Sequence, residues 1–283
     1  NAGRDNRVED VDAIRSSQSF ARPARDYLEA LDAGNPAHMA SAKYLSPSDP
    51  AAAWNTKEGR GKFGYHTNYL IDTDHAVIVD VEATPARIAQ EIVATKAMLE
   101  RVEDAHGIKP QKLAADKAYG TGPFLAWLDE RNITQHIPVL DRQHQSGGLL
   151  TREDFTFDAG NNRYVCPQGK FLKHRTAVAK TRVHTYRATA SDCKECPIRQ
   201  NCTRGSKRSL SVPFDNDIRQ KVMALQDTEA FKQSRRLRKK VEMLFAHLKR
   251  HLGLKRLGIR GLKGATEEFL LAATAQNLKR LAN

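Results

Sequence analysis

The chain has 283 residues, with 46 Lys and Arg against 33 Asp and Glu, a formal net charge of +13 and a pI near 9.7. No apolar run approaches the roughly 20 residues that span a bilayer, and the start of the chain lacks the apolar core of a signal peptide, so nothing indicates a membrane partner. The basic balance favours a nucleic-acid partner, and we expect a soluble, cytoplasmic protein with one large or two small domains.

The first region, residues 1–60, is polar and alanine-rich. Its pattern predicts a short helix over residues 24–33 and a turn at the sequence SPSDP, residues 46–50. We expect this region to be a connecting arm.

The second region, residues 61–147, alternates between strand and helix patterns. Two segments rich in aromatic and branched residues, 63–71 and 76–83, predict an antiparallel hairpin. The following predicted elements are a helix over 85–105, a strand over 112–116, a helix over 122–132 and a strand over 133–140. This β-β-α-β-α-β order predicts an α/β fold with a mixed sheet flanked by helices.

Asp116 directly follows the short apolar run of the third predicted strand. Ligands of open α/β sheets gather at the carboxyl ends of parallel strands, so a carboxylate at this position faces a crevice and can bind a metal ion. An aspartate at such a junction also commonly caps a helix or a turn. The local sequence favours neither interpretation.

The third region, residues 148–227, contains all four cysteines, Cys166, Cys193, Cys196 and Cys202. The segments CPQG and CKECP supply tight turns, and four thiolates with one C-x-x-C pair are typical of a tetrahedral structural zinc site. Two disulfides are disfavoured in a cytosolic chain, and no thioredoxin-like context supports a redox pair. An iron–sulfur cluster stays open as an alternative.

The fourth region, residues 228–283, contains a predicted helix from Ser234 to Leu252 that presents Glu242 among basic side chains. Arg235, Arg238 and Lys249 share a face with this carboxylate, beside an apolar stripe that can pack on a core. One carboxylate amid cations suits a metal ion held against a phosphodiester. An ordinary Arg238–Glu242 ion pair on a surface helix explains the same pattern.

Four sequence blocks carry a resemblance when they are read together: YLIDTDHAVIVDVEATPAR, ADKAYGTGPFLAWL, YVCPQGKFL with CKECPIRQNC, and RRLRKKVEMLFAHLKRHLGLKRLGIRG. In this order they resemble bacterial insertion-sequence transposases with an RNase H-like DDE domain, from about Ser46 to the carboxyl terminus. The resemblance implies an RNase H-like core formed by residues 61–147 and completed by residues 228–283. It also implies that residues 148–227 are a cysteine-bearing, zinc-ribbon-like insert.

The resemblance further implies DNA cleavage and strand transfer by two-metal phosphoryl transfer. Family members hold two Mg²⁺ ions with three acidic residues, of which Asp116 matches the second and Glu242 the third. The implied partner is double-stranded DNA at the element ends and at the target, bound by a homodimer in the nucleoid. The implied phosphate-contacting residues are Arg235, Arg238, Lys239, Lys240, Lys249 and Arg250.

The first acidic residue of the family lies on a strand before the hairpin, and on this alignment it precedes Asn1. Asp49, Asp72, Asp74 and Asp80 are internal candidates, but none occupies the matching strand. With two of the three acids, residues 1–283 are expected to bind DNA and to cleave it poorly.

Two other functions stay open. An RNase H-like nuclease without strand transfer would have the same carboxylates and fold. A non-catalytic, zinc-containing DNA-binding protein would have the same charge and the same cysteines.

Overall fold

The computed structural model describes residues 9–10, 44–56, 61–86, 88–139, 147–254 and 256–282. The predicted helix over residues 24–33 lies outside these ranges. The chain forms two compact units, the first made of residues 1–110 and 235–283 and the second of residues 111–234. Both units contain helices and strands, which confirms the predicted α/β class.

The strands and α-helices follow one another along the described chain in this order: β1 (Glu9–Asp10), β2 (Tyr44–Leu45), β3 (Ala53–Asn55), β4 (Lys62–Asp72), β5 (Val77–Pro85), α1 (Ile88–His106), β6 (Lys112–Ala114), α2 (Gly122–Glu130), β7 (Thr134–His136), β8 (Thr156–Asp158), β9 (Arg163–Val165), β10 (Phe171–Val178), β11 (Val183–Arg187), α3 (Ala190–Lys194), α4 (Arg199–Cys202), β12 (Ser209–Pro213), α5 (Asn216–Leu225), α6 (Glu229–Leu237), α7 (Lys239–Arg250) and α8 (Gly261–Leu281). Within the described residues no helix is long and apolar enough to cross a membrane.

The first unit is built on the predicted hairpin. Strands β4 and β5 pair antiparallel, and the short β3 pairs with the start of β4. Ile78, Val81 and Ala83 of β5 form a core with Phe269 and Ala273 of α8. A register shift between Leu70 and Ile71 leaves Val79 of β5 without a cross-strand partner in the ladder, so Ile78 and Val81, three residues apart, both face this helix.

The second unit contains two sheets. Strands β6 and β7 pair in parallel, and the five strands β8 to β12 form an antiparallel sheet within the cysteine-bearing region. Tyr164, Leu172, Tyr186 and Leu210 bury one face of the larger sheet. No sequence pattern indicated this sheet.

The expectation of one mixed sheet needs correction. Among the described residues, β4 and β5 belong to a three-stranded sheet and β6 and β7 to a separate two-stranded sheet. The elements are present in the predicted order, but β6 and β7 are only three residues long and hydrogen-bond only to each other among the described strands. An element order read from sequence patterns does not determine which strands pair.

Candidate active site and cysteine cavity

Asp116 lies just beyond the carboxyl end of β6. Because β6 and β7 are parallel, their carboxyl ends share one edge of the sheet, with Ala114 opposite His136. The Asp116 side chain is exposed, and its Oδ1 accepts a hydrogen bond of 2.7 Å from the amide of Ala118. It caps the 3₁₀ turn Lys117–Tyr119, so the capping interpretation is confirmed. This bond uses one carboxylate oxygen, and the exposed group stays accessible to a ligand.

His136, at the same edge, was missed by the sequence analysis. The residue is buried, and its Nδ1 lies 2.6 Å from the hydroxyl oxygen of Ser234 on α6. Burial lowers the pKa of His136, and the positive charge of Lys112 lowers it further. A histidine within the apolar run ITQHIPVL is the only sequence signal for this contact.

The predicted helix from Ser234 to Leu252 is divided at Arg238. Helix α6 ends at Leu237 and α7 begins at Lys239, while Arg238 itself keeps right-handed helical backbone angles, with φ −55° and ψ −25°. A hydrogen bond of 3.0 Å from the amide of Val241 to the carbonyl of Arg238 tightens the backbone at this point. No proline or glycine marks the break, so the sequence pattern could not locate it.

Glu242 lies in the first turn of α7, where a carboxylate is stabilised by the helix dipole. Its Oε1 is 3.5 Å from the guanidinium of Arg238, and 65% of the Glu242 side chain is exposed. An ion pair of this exposure contributes at most about 1 kcal/mol to stability. The carboxylate is therefore accessible, and the ion-pair interpretation of the sequence is also confirmed.

The apolar side of α7 anchors the helix in the first unit. Leu248 is buried, and Leu244 packs against the core that β5 forms with α8. The ring of Phe245 stacks on Tyr69 of β4, with 4.9 Å between the ring centroids. The predicted apolar stripe is confirmed, and it fixes the orientation of Glu242 within this unit.

The six basic candidates differ in their environments. Arg235 lies on α6, while Lys239, Lys249 and Arg250 are exposed on α7. Lys240 is half-buried, and its Nζ donates to the carbonyls of Thr73, at 2.6 Å, and of Asp74, at 3.2 Å. Its ammonium therefore ties α7 to the β4–β5 turn.

The carboxylates of Asp49, Asp72 and Asp80, three of the four internal candidates for the first acid, are engaged within the first unit. Asp49 is buried and accepts a hydrogen bond of 2.6 Å from the hydroxyl of Tyr65. Burial raises the pKa of Tyr65, and the bond to Asp49 raises it further. The carboxylate of Asp49 is thus held inside the protein.

Asp72 and Asp80 also have partners. A hydrogen bond from His75, at 2.5 Å, lowers the pKa of Asp72 at the hairpin turn. On β5, Asp80 accepts a hydrogen bond of 2.9 Å from the guanidinium of Arg101, which also binds Glu82. These contacts give the carboxylates of Asp72 and Asp80 a structural role in the first unit.

The four cysteines line one cavity in the second unit, as their clustering predicted. Cys166 begins a tight turn in which the amide of Lys170 donates to the Cys166 sulfur at 3.3 Å. Cys193 lies in α3, Cys196 in the turn that follows it, and Cys202 at the end of α4.

The cavity favours the neutral thiol of Cys202. Burial raises its pKa because the thiolate is poorly solvated there, and Arg208 opposes the shift. The other cysteines are close enough to raise it further when they are charged. In the part of the chain that the structure describes, no group of three or more His, Cys, Asp or Glu side chains has the geometry to hold a metal ion. The cysteines share a cavity without forming a closed ligand set.

Comparison with known protein families gives a direct result. Residues 165–282 match the family model described as the transposase DDE domain. Residues 165–282 are therefore similar to a transposase DDE domain. The matched segment contains the cysteine cavity and Glu242, while Asp116 precedes it. Searches of the curated proteins and of the solved structures gave no match.

Proposed function

We propose that this chain is the catalytic part of a DNA transposase, which cleaves DNA and joins the cut end to a target by phosphoryl transfer. The observation that carries the proposal is the match of residues 165–282 to the transposase DDE domain. The exposed Glu242 lies inside that segment, and the net charge of +13 suits a DNA partner.

Asp116 and Glu242 are the two carboxylates that we assign to Mg²⁺. Both are exposed, and carboxylate oxygen is the donor that Mg²⁺ prefers in proteins. Bound Mg²⁺ would supply Lewis acidity at the scissile phosphate. Asp116 offers its carboxylate from the carboxyl edge of a parallel strand pair, and Glu242 offers its own from the first turn of α7. The element order β4-β5-α1-β6-α2-β7 supports an RNase H-like core.

The exposed cations of α7 are assigned to the DNA backbone. Lys239, Lys249 and Arg250, with the half-exposed Arg238 just before the helix, would contact phosphates and position the duplex without reading its sequence. Arg235 would extend this surface from α6. Two copies of the chain, each holding one element end, would form the active assembly.

Zinc is assigned to the cysteine cavity as a structural ion. Four thiols lining one cavity, with an amide donating to the Cys166 sulfur, are the donor chemistry of such a site. The cysteines do not form a closed ligand set in this structure, so the assignment requires that their side chains move to take up the ion. A cation would also reverse the preference of Cys202 for its neutral thiol.

A joining assay tests the proposed function. Purified protein is incubated with Mg²⁺, supercoiled plasmid as target, and labelled duplexes that carry the DNA flanking the gene and end in a 3′-hydroxyl. Transposase activity predicts labelled strand covalently joined to plasmid. Nicked plasmid without joined label would contradict strand transfer and favour the nuclease alternative. Because residues 1–283 hold two of the three family acids, the assay is repeated with a protein extended upstream to include the first one. Binding by that longer protein with neither nicking nor joining would favour the DNA-binding alternative.

A further inference from the structure

The five-stranded sheet of the cysteine-bearing region has one buried and one solvent-facing side. The strands pair in register, so equivalent positions form rows that cross the sheet. Two buried cross-strand pairs, Tyr164–Leu172 and Tyr186–Leu210, lie on one face of the sheet. The row between these two pairs projects to the opposite face and consists of Arg163, Lys173, Arg187 and Ser209.

Three cations are therefore direct cross-strand neighbours. Arg163 pairs with Lys173, and Lys173 pairs with Arg187. Like charges placed directly opposite on a sheet are destabilising. Asp158 neutralises part of this charge, since its Oδ2 lies 2.8 Å from the Nε of Arg163. Among the described residues, Lys173 and Arg187 have no ion-pair partner, and both side chains are exposed.

Phe171 adds an aromatic ring to the same face. The guanidinium of Arg163 lies over this ring, 3.7 Å from its centroid. The ring face is thus occupied by a cation, which removes the surface on which an unpaired base would stack. Stacking also holds the Arg163 side chain in place beside Lys173. The chemistry of this face is that of fixed positive charge.

We propose that this face of the sheet, carried by Arg163, Lys173 and Arg187, binds the phosphate backbone of duplex DNA. The inference rests on the proposed function, because it adds a second DNA surface to the one assigned to α7. With strands about 4.8 Å apart, the three cations span about 10 Å, which suits contact with adjacent phosphates. Ser209 and the neighbouring Ser211 add hydroxyl donors at one end of the row. The cross-strand repulsion is relieved when phosphates lie over the row.

Binding of the Lys173→Ala/Arg187→Ala variant tests the proposal. Affinity for a duplex of arbitrary sequence is measured by fluorescence anisotropy over a salt series. Loss of two phosphate contacts should lower the magnitude of the slope of log affinity against log salt by about 2, and should weaken binding at least tenfold at low salt. The thermal unfolding temperature should be unchanged or higher, because repulsion within the sheet is removed.

A matched variant, Lys109→Ala/Arg204→Ala, removes one exposed lysine and one exposed arginine that lie outside this face. It should change the slope far less. An equal loss in both variants would attribute binding to net charge alone and overturn the proposal. Affinity unchanged in the sheet variant would also overturn it, as would a loss confined to single-stranded DNA.

Failure of this DNA-binding surface can be distinguished from failure of the proposed transposase function. The binding assay needs neither Mg²⁺ nor cleavage, so failure of the sheet variant to lose affinity rejects this surface alone. A chain that binds DNA through the sheet but never joins it would retain the surface and reject the transposase activity.

Discussion

His136 and Ser234 form a buried hydrogen bond that fastens α6 to the end of β7. The Nδ1 of His136 lies 2.6 Å from the Ser234 hydroxyl oxygen, and the ring of Phe231, also on α6, packs at 5.3 Å from the imidazole. The two residues are 98 positions apart in the chain. Helix α6 leads, after Arg238, into the helix that carries Glu242. The contact therefore anchors α6 to the parallel strand pair β6–β7, and Asp116 lies just beyond the end of β6.

Replacement of Ser234 by Ala should destabilise the second unit. The variant leaves a buried ring nitrogen without its partner, which costs about 1–3 kcal/mol. Urea unfolding followed by circular dichroism measures the change. Ser206→Ala, at an exposed serine, should alter stability by less than about 0.5 kcal/mol. Equal effects of the two substitutions would show that the buried bond contributes nothing.

Stability should fall as the pH drops below about 6.5, the ordinary pKa of histidine. The folded pKa of His136 is lowered, first by burial and then by Lys112, so the unfolded chain binds more protons in this range. Because the unfolded state binds more protons, the free energy of unfolding decreases as the pH falls. His247 has a lowered pKa as well and adds the same trend. Thermal unfolding between pH 5 and 8 should show a shallower decline for His136→Gln, and an unchanged profile would contradict the assignment.

Sequence patterns predicted the bounds of the helices and strands around the candidate site more closely than the pairing of those strands into sheets. The hairpin, α1, β6, α2 and β7 occur within a few residues of their predicted bounds, because alternating apolar residues and breakers such as Gly107 are local signals. The convergence of the four cysteines was also predicted, from their turn motifs. The zinc ion and the metal-binding roles of Asp116 and Glu242 stay predictions.

Features that depend on distant contacts were not predictable. In the five-stranded sheet, exposed lysines and arginines on one face obscure the alternation of apolar and polar residues that is typical of a strand. The segment FLKHRTAV is an example. The break at Arg238 has no helix-breaking residue, and the role of Lys240 depends on a hairpin turn 166 residues away. The periodicity of apolar residues in a sequence indicates whether a side chain is buried or exposed. Tertiary structure determines which residue that side chain contacts.

Removal of two cations from the start of α7 should weaken DNA binding without regard to sequence. The Arg238→Ala/Lys239→Ala variant should bind all duplexes more weakly, and the magnitude of its salt slope should fall by about 2. Anisotropy with several unrelated duplexes measures both quantities.

Lys240→Ala provides the contrast to that variant. Its ammonium binds the carbonyls of Thr73 and Asp74, so its loss should lower the thermal unfolding temperature and leave the salt slope largely unchanged. A double variant that binds like the parent, or that loses affinity for one sequence alone, would exclude α7 as a phosphate-binding helix.

Purified, reduced protein should contain one zinc ion per chain, held by the four cysteines. Cys196→Ser should lose the ion, and a chelator should lower the unfolding temperature of the parent but not that of the variant. Zinc affinity should decrease at low pH, because burial raises the pKa of Cys202 and its thiol must lose a proton to bind the metal. Elemental analysis is the measurement. Zinc content that is absent in the parent, or unaffected by Cys196→Ser, would reject the site.

The central proposal is that Asp116 and Glu242 both bind catalytic Mg²⁺, and iron-mediated cleavage of the protein backbone tests it most directly. Fe²⁺ replaces Mg²⁺ at oxygen-ligand sites, and with peroxide it generates radicals that cut the chain near the bound ion. Fragment mapping should reveal cuts near both residue 116 and residue 242, suppressed by excess Mg²⁺. Asp116→Asn should abolish the cut near residue 116 and Glu242→Gln the cut near residue 242, while Glu267→Gln, at an exposed glutamate of α8, should retain both. Cuts near only one of the two residues, or a cut that persists in the matching variant, would contradict the proposal.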